Sequence, residues 1–260
     1  MVITLTTDFG CQDPFTGIMK GVIVGINPRA RIIDLSHSIA PQDVVSAALT
    51  LRHSVGYFPE GTIHVVVVDP GVGGERRPLL IETGERYLIG PDNGVLSLAL
   101  EQKEPNRVIG LSNPTYHLQP ASATFHGRDI FAPVAAYLSL GIPAPAFGEH
   151  VKEFVSLSLP TARKSATGID GEILYIDRFG NLFTNIGESD LAGWPRDQLT
   201  ISLGTASIRG VAANYSAARD GDYVALINSW GVLEIAVNKD SAQKRMQAKI
   251  GDKIQVHVSP

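Results

Sequence analysis

The sequence predicts an α/β protein in two parts. The first is an N-terminal α/β domain, residues 1–160, with a mainly parallel central sheet between helices. The second is a smaller C-terminal all-β domain, residues 168–260, built as a barrel or sandwich. Three observations predict this. Strand-like and helix-like patterns alternate over the first 150 residues, as in layered α/β folds. Ile63 to Val68 is a nearly continuous β-branched run, which suits a strand buried on both faces between helices. The character changes after Pro143–Ala144–Pro145, and from Gly171 onward short strands recur between Gly, Asp and Asn turn signals, as in small β-domains.

Each element follows from local pattern. Val2 to Thr6 is apolar and β-branched and reads as a strand. Asp13–Pro14 opens a helical stretch through Ile26, with proline near the helix start, where its missing N–H is harmless. Arg31 to Leu35 is a second strand. Asp43 can cap the next helix, whose Val44, Ala47, Ala48, Leu51 and Val55 fall on one stripe. Leu79–Glu82 and Tyr87–Ile89 read as strands, Gly94 to Leu100 as a short helix, and Gly127 to Leu140 as a longer one. Leu159 to Thr167 reads as a linker. Beyond it the expected strands are Glu172–Asp177, Leu182–Ile186, Leu199–Leu203, Ser207–Val211, Tyr223–Asn228, Leu233–Val237 and Lys253–Val258.

Composition narrows the function. The 260 residues are 44% hydrophobic, enough for one large core or two modest ones. The net charge of −4 offers no basic excess to displace counterions from nucleic acid or to hold an anionic membrane, so neither partner is expected. Cys11 is the only cysteine, which fits a reducing compartment. The start of the chain lacks a signal-peptide pattern, and the apolar run Val65–Val68 is far too short to span a bilayer. The expectation is a cytoplasmic protein.

Polar residues collect where the N-terminal strands are expected to end. The first strand runs into Thr7–Asp8–Phe9–Gly10 and then Asp13. The buried run ends in Asp69–Pro70–Gly71–Val72–Gly73–Gly74–Glu75–Arg76, and Phe125–His126–Gly127–Arg128–Asp129 precedes a helix. Ligands bind at the carboxyl ends of strands in open α/β sheets, so Asp8, Asp13, Asp69 and Arg76 are candidates to share a crevice. Alone, each piece also has a structural explanation. Asp8 suits an Asx-turn or a cap, Asp69–Pro70–Gly71 a tight turn, and His126 a satisfied histidine. Gly71–Val72–Gly73 does not complete a dinucleotide fingerprint, because Arg76 stands where the third glycine belongs and Pro78 follows. The histidines show no metal-ligand spacing, and no metal or cofactor is expected.

Taken in order, the segments are more specific. Thr7–Asp8–Phe9–Gly10 with Asp13 comes first, then Ser36–His37 with Pro41–Gln42–Asp43, then Val68 to Gly73 with Arg76. Gly90–Pro91–Asp92–Asn93–Gly94 and Phe125 to Asp129 follow, and the second half adds Ile176–Asp177–Arg178–Phe179–Gly180–Asn181 and Asn228–Ser229–Trp230–Gly231. This pattern resembles the S-adenosyl-L-methionine (SAM) hydrolases, also called SAM hydroxide adenosyltransferases, relatives of the SAM-dependent fluorinase and chlorinase. The resemblance implies an N-terminal α/β domain and a C-terminal β-domain in a homotrimer, with sites between one subunit's N-domain and its neighbour's C-domain. It implies the reaction of SAM with water to give adenosine and L-methionine, and a catalytic set of Asp69, Arg76 and His126. It also implies a substrate-binding set. Asp13, Asp177 and Ser229 lie around the methionine portion, and Asn93, Trp230 and Asn238 belong to the same set.

Chemistry supplies roles for several of these residues. The sulfonium already makes methionine a neutral leaving group, so the difficulty lies in the water, which must attack ribose C5′ in line with sulfur. Asp69 and His126 can hold that water and take its proton, and Arg76 can fix the carboxylate and favour hydroxide character. The sequence does not choose between Asp69 and His126 as the final proton acceptor. Asp8 suits a ribose diol, Asn181 an adenine edge, and Phe179 and Tyr215 the faces of the ring, although core packing would equally explain Phe179. The halogenating relatives place an arginine where this chain has Trp230, which leaves the partner of the methionine carboxylate unassigned. The rival readings are a halogenase and a SAM- or adenosine-binding protein without turnover. Asp69 and Gly127 stand where the fluorinase has tyrosine and serine, which disfavours halide, because a carboxylate beside the nucleophile repels it.

Overall fold

The computed structural model describes residues 1–100 and 104–258. The chain divides into two units, Met1–Leu157 and Ser158–Pro260.

The first unit contains β1 (Val2–Thr7), α1 (Phe15–Ile26), β2 (Arg31–Ser36), α2 (Val44–Arg52), β3 (Thr62–Val67), β4 (Pro78–Glu82), β5 (Arg86–Pro91), β6 (Arg107–Gly110), α3 (Ala132–Ser139) and β7 (Glu149–His150). They form one sheet in the order β2-β1-β3-β5-β4-β6-β7. Strand β3 is buried along its whole length. Its Ile63, Val65 and Val67 enter the core beneath α1 and α3, while Val66 and the following Val68 enter a second core beneath α2. This two-sided burial is what the β-branched run predicts. Asp43 caps α2 as expected, its Oδ1 accepting the Ser46 N–H at 2.9 Å.

The expectation of a mainly parallel sheet is corrected. β1 pairs in parallel with β2 and β3, and β3 with β5, but β4–β5, β4–β6 and β6–β7 are antiparallel. The sheet is therefore mixed. The cause is the short link between β4 and β5. Only Thr83–Gly84–Glu85 joins them, and a three-residue loop can only reverse the chain into a hairpin. The Thr83 hydroxyl closes that turn by accepting the Arg86 N–H at 3.0 Å. Two helix expectations also change in detail. Ser97–Leu100 is a 3₁₀ turn, and Gly127–Phe131 is a π-helical turn that leads into α3.

The second unit contains β8 (Arg163–Lys164), β9 (Gly168–Ile176), β10 (Leu182–Gly187), β11 (Leu199–Leu203), β12 (Ala206–Arg209), β13 (Tyr223–Ile227), β14 (Val232–Val237), α4 (Ala242–Met246) and β15 (Lys253–Val258). Its strands run β12-β11-β15-β9-β10-β14-β13, with β8 on β9, and every ladder is antiparallel. An all-β description is corrected by α4, whose cap Ser241 accepts the Lys244 N–H at 3.2 Å. Part of the expected linker, Arg163–Lys164, pairs with Asp170 and Ile169 as a strand. Among the described residues no helix is long and apolar enough to cross a membrane.

Candidate active site

The first unit carries a cleft of about 420 Å³ at the carboxyl ends of β1 and β3, where ligands bind in open α/β sheets. Asp8, Asp69 and His126 all line it. Asp8 follows β1, Asp69 lies two residues beyond the end of β3, and His126 leads into the π-helical turn. The loop after Asp69 must fold tightly to bring Arg76 back. Gly73 makes this possible, because it sits at φ +73° and any Cβ there would lie 2.1 Å from the Ala123 carbonyl oxygen. That contact seats the Asp69–Arg76 loop against the segment that delivers His126.

Arg76 joins the other two residues. Its Nε donates to Asp69 Oδ1 at 3.0 Å and its Nη2 donates to Asp69 Oδ2. The same Nη2 donates to His126 Nδ1 at 2.8 Å. The guanidinium also sits 5.7 Å from the centre of the Phe131 ring. The Arg76 and Asp69 side chains are only 9% and 5% exposed. Asp69 and His126 face the cleft, whereas Arg76 is not among the residues lining it. Arg76 therefore stands behind the pair and fixes both partners through a bidentate fork.

This arrangement sets the histidine tautomer. A guanidinium only donates, so His126 Nδ1 must carry a lone pair and Nε2 the hydrogen. Burial and then the Arg76 cation lower the His126 pKa from its ordinary 6.5, outweighing the opposite pull of Asp69 and Asp129. The imidazole is thus neutral at pH 7, with a hydrogen-bond donor to offer. Protonating Nδ1 would set two donors against each other. Turnover is therefore expected to fall on the acid side with a midpoint below the ordinary histidine value. A pH profile of kcat checks this, and an acid limb centred above pH 7 would contradict it.

The second unit carries its own cleft of about 650 Å³, lined by Asp177, Phe179, Asn181, Tyr215 and Asn238 together with Val237 to Ser241. Asp177 organises it. Its Oδ1 accepts the N–H groups of Phe179 and Asn181 at 2.8 and 2.9 Å, and its Oδ2 accepts the Asn181 amide at 3.0 Å. Gly180 completes the turn at φ +84°, where a Cβ would meet Ser241 Oγ at 2.0 Å. Phe179 is 78% exposed, so core packing does not explain it. Tyr215 is also exposed, and its hydroxyl donates at 2.8 Å to Oε1 of the fully buried Glu234, whose pKa burial pushes up. Asn238 donates to the Ala218 carbonyl at 2.9 Å.

Four expected binding residues line neither cleft. Asp13 is exposed beyond β1. Asn93 donates to the Val68 carbonyl at 2.9 Å and accepts the Val95 N–H at 3.2 Å, so it braces the strand end before Asp69. Ser229 is exposed in the β13–β14 turn. The Trp230 ring packs 4.9 Å from both Tyr175 and Phe183, and its backbone N–H donates to Asn228 Oδ1.

Other participants emerge only from the structure. Phe9, Phe15 and Phe125 meet edge-to-face with centroids 5.3–5.9 Å apart and form one wall of the first cleft. Phe9 and Phe125 lie inside the motifs, but Phe15 is brought there by the start of α1. Glu234 announces itself faintly in the sequence as one acid within the apolar strand Leu233–Val237. Among the described residues no group of three or more His, Cys, Asp and Glu is placed to hold a metal ion.

Comparison with known proteins covers both units. The profile of the SAM hydroxide adenosyltransferase N-terminal domain matches residues 3–148, and that of the C-terminal domain matches residues 171–255. An (R)-S-adenosyl-L-methionine hydrolase from Thermus thermophilus is 36% identical, over 94% of this chain and 95% of its own length. One from Salinispora arenicola is 37% identical, over 98% and 97%. Fluorinases follow at 28% identity or less. The crystal structure of an uncharacterized conserved protein from Thermotoga maritima superposes with a TM-score of 0.91 at 33% identity, covering 99% of this chain and 100% of that one. With both domains matched and close relatives aligned nearly end to end, the chain belongs to the SAM hydroxide adenosyltransferase family.

Proposed function

We propose that this protein hydrolyses S-adenosyl-L-methionine to adenosine and L-methionine, with Asp69, Arg76 and His126 preparing the water. The observation that carries the mechanism is the Arg76 fork, which holds a carboxylate and a neutral imidazole together at one cleft wall. Water bound there donates a hydrogen bond to Asp69 and accepts one from His126 Nε2–H. Because His126 is already a donor at the atom that faces the cleft, the proton passes to Asp69. The water oxygen forms a bond to C5′ as the C5′–S bond breaks. Its electron pair goes to sulfur, which leaves as the neutral thioether of methionine. The proton on Asp69 is then released to solvent.

The second cleft suits the nucleoside and the amino-acid end. Phe179 and Tyr215 present exposed rings to a planar base, and Asn181 and Asn238 supply amides. Asp8 offers its carboxylate to the ribose diol, and Asp177 carries charge of the right sign for the methionine ammonium. Asp13, Ser229 and Trp230 line neither cleft in the isolated chain, so any contact they make with substrate belongs to the assembled enzyme. We assign the complete site to a homotrimer, in which the first cleft of one subunit meets the second cleft of its neighbour. The names of the relatives support the (R) sulfonium epimer as the preferred substrate, and the single exposed Cys11 fits a cytoplasmic setting. Halogenation fits the site less well, because a base and a donor beside the reacting carbon favour water over a desolvated halide.

Incubating the protein with SAM in ¹⁸O-labelled water, with and without chloride, tests this. Adenosine labelled at O5′ and unlabelled methionine are expected in both cases. A halogenated nucleoside would assign the halogenase reaction instead, and intact SAM bound without turnover would leave only a binding protein.

A further inference from the structure

His37 takes no part in preparing water and does not line the first cleft, yet it is almost fully buried and bonded to the loop that carries Asp8 there. Its Nδ1 lies 2.9 Å from the hydroxyl of buried Thr7. That hydroxyl oxygen also accepts the Phe9 N–H at 3.2 Å, and in the tautomer with hydrogen on Nε2 its own hydrogen goes to His37 Nδ1. The histidine carbonyl accepts the Gly10 N–H at 2.8 Å. Both backbone groups belong to the loop that carries Asp8 and Phe9 to the cleft. On its far side, His37 Nε2 lies 3.0 Å from Asp34 Oδ1, and Asp34 Oδ2 accepts Lys20 Nζ at 2.6 Å. With the His37 hydrogen on Nε2, which lies near the Asp34 carboxylate without meeting hydrogen-bond geometry, the order is Phe9 N–H to Thr7 and Thr7 O–H to His37 Nδ1.

The same stretch of chain grips Asp8 a second time. The Gln42 N–H donates to Asp8 Oδ2 at 2.8 Å. Gln42 holds φ +67°, a left-handed conformation that a non-glycine residue adopts at some cost. Asp8 Oδ1 accepts no bond among the described residues. Residues 37–42 therefore fix the loop through Thr7 and fix one carboxylate oxygen through Gln42, leaving the other oxygen to receive a ligand.

We propose that His37 is a positioning residue for ribose recognition, acting through Thr7 on the Asp8–Phe9 loop. This rests on the assignment of Asp8 to the ribose diol. Its effect falls on substrate binding, because among the described residues no hydrogen bond of this set reaches Asp69 or His126.

Two amide substitutions separate the two ends of the imidazole. His37→Asn places an amide oxygen where Nδ1 sits and keeps an acceptor for Thr7. His37→Gln reaches toward Asp34 and removes that acceptor. His37→Gln is expected to raise KM for SAM about five- to tenfold with kcat within about twofold, while His37→Asn stays within about twofold of the parent in both. Adenosine affinity, measured by calorimetry, is expected to follow the same order. Equal effects of the two amides, or a loss confined to kcat, would overturn the proposal. Should His37→Gln not fold, Thr7→Val removes the intervening hydroxyl and is expected to raise KM alike; an unchanged KM there overturns the proposal too. If the parent protein binds adenosine but leaves SAM intact, the hydrolysis assignment fails, and the Asn–Gln contrast in adenosine affinity still decides the role of His37.

Discussion

Asp69→Asn lowers kcat for SAM hydrolysis by about 10²–10⁴-fold, the range for losing a general base, while substrate affinity changes little. The physical reason is the division of labour proposed for the cleft. His126 presents a hydrogen at the ring nitrogen available to water, because its other nitrogen accepts from Arg76. Asp69 is then the acceptor for the proton of water, and an amide cannot take it. The asparagine keeps the size of the side chain and one oxygen for the Arg76 fork, so the loop Asp69–Arg76 retains its shape. Steady-state kinetics together with equilibrium binding of SAM check this. A kcat within about threefold of the parent would be far below a general-base loss and would remove Asp69 from the mechanism.

Arg76→Met produces the second large effect, on both activity and stability. It leaves Asp69, whose side chain is 5% exposed, without its bidentate partner. Breaking one side of a buried ion pair costs about 3–5 kcal/mol, because the remaining charge stays desolvated. Denaturant unfolding is expected to show a loss of that order. The same change frees His126 Nδ1, so the imidazole loses its fixed tautomer and kcat falls by at least about 10²-fold. Arg76→Lys is expected to recover part of the stability and little of the rate. A single ammonium cannot reproduce a planar fork that spans Asp69 Oδ1, Asp69 Oδ2 and His126 Nδ1 at once. If the lysine variant restored full turnover, the site would need only positive charge, and the tautomer argument would fall.

The sequence named more of the residues lining the two clefts than of the strand order of the sheet. The strand β3 was legible because a β-branched run buried on both faces leaves a local mark, and the cap at Asp43 was legible because its partner Ser46 lies three residues away. The mixed order β2-β1-β3-β5-β4-β6-β7 was not, because it depends on which distant edges pair. Even so, the short span between the β4 and β5 patterns already contained the reason for a hairpin. In the second cleft, Asp177, Phe179 and Asn181 sit within five residues and act through a local turn. Tyr215 and Asn238 come from elsewhere in the chain and meet them only after folding. Trp230 shows the opposite case, since its motif position suggested a ligand contact while its ring is occupied by Tyr175 and Phe183.

By itself the sequence determined the chemistry available to this protein. Ordered motifs placed an aspartate and an arginine after a strand and a histidine before a helix, and in the proposed reaction the sulfonium leaving group restricts their task to preparing water. The tertiary structure decided how the three share that task. Arg76 is seven residues from Asp69 and fifty from His126, and no local pattern tells whether a guanidinium faces the substrate or supports its neighbours. Gly73 allows the Asp69–Arg76 loop to pack on Ala123, which puts Arg76 behind the pair. A donor-only guanidinium at Nδ1 then fixes the hydrogen on the opposite nitrogen of His126. Hydrogen-bond direction is a property of geometry between distant residues, which is why it was settled by the fold.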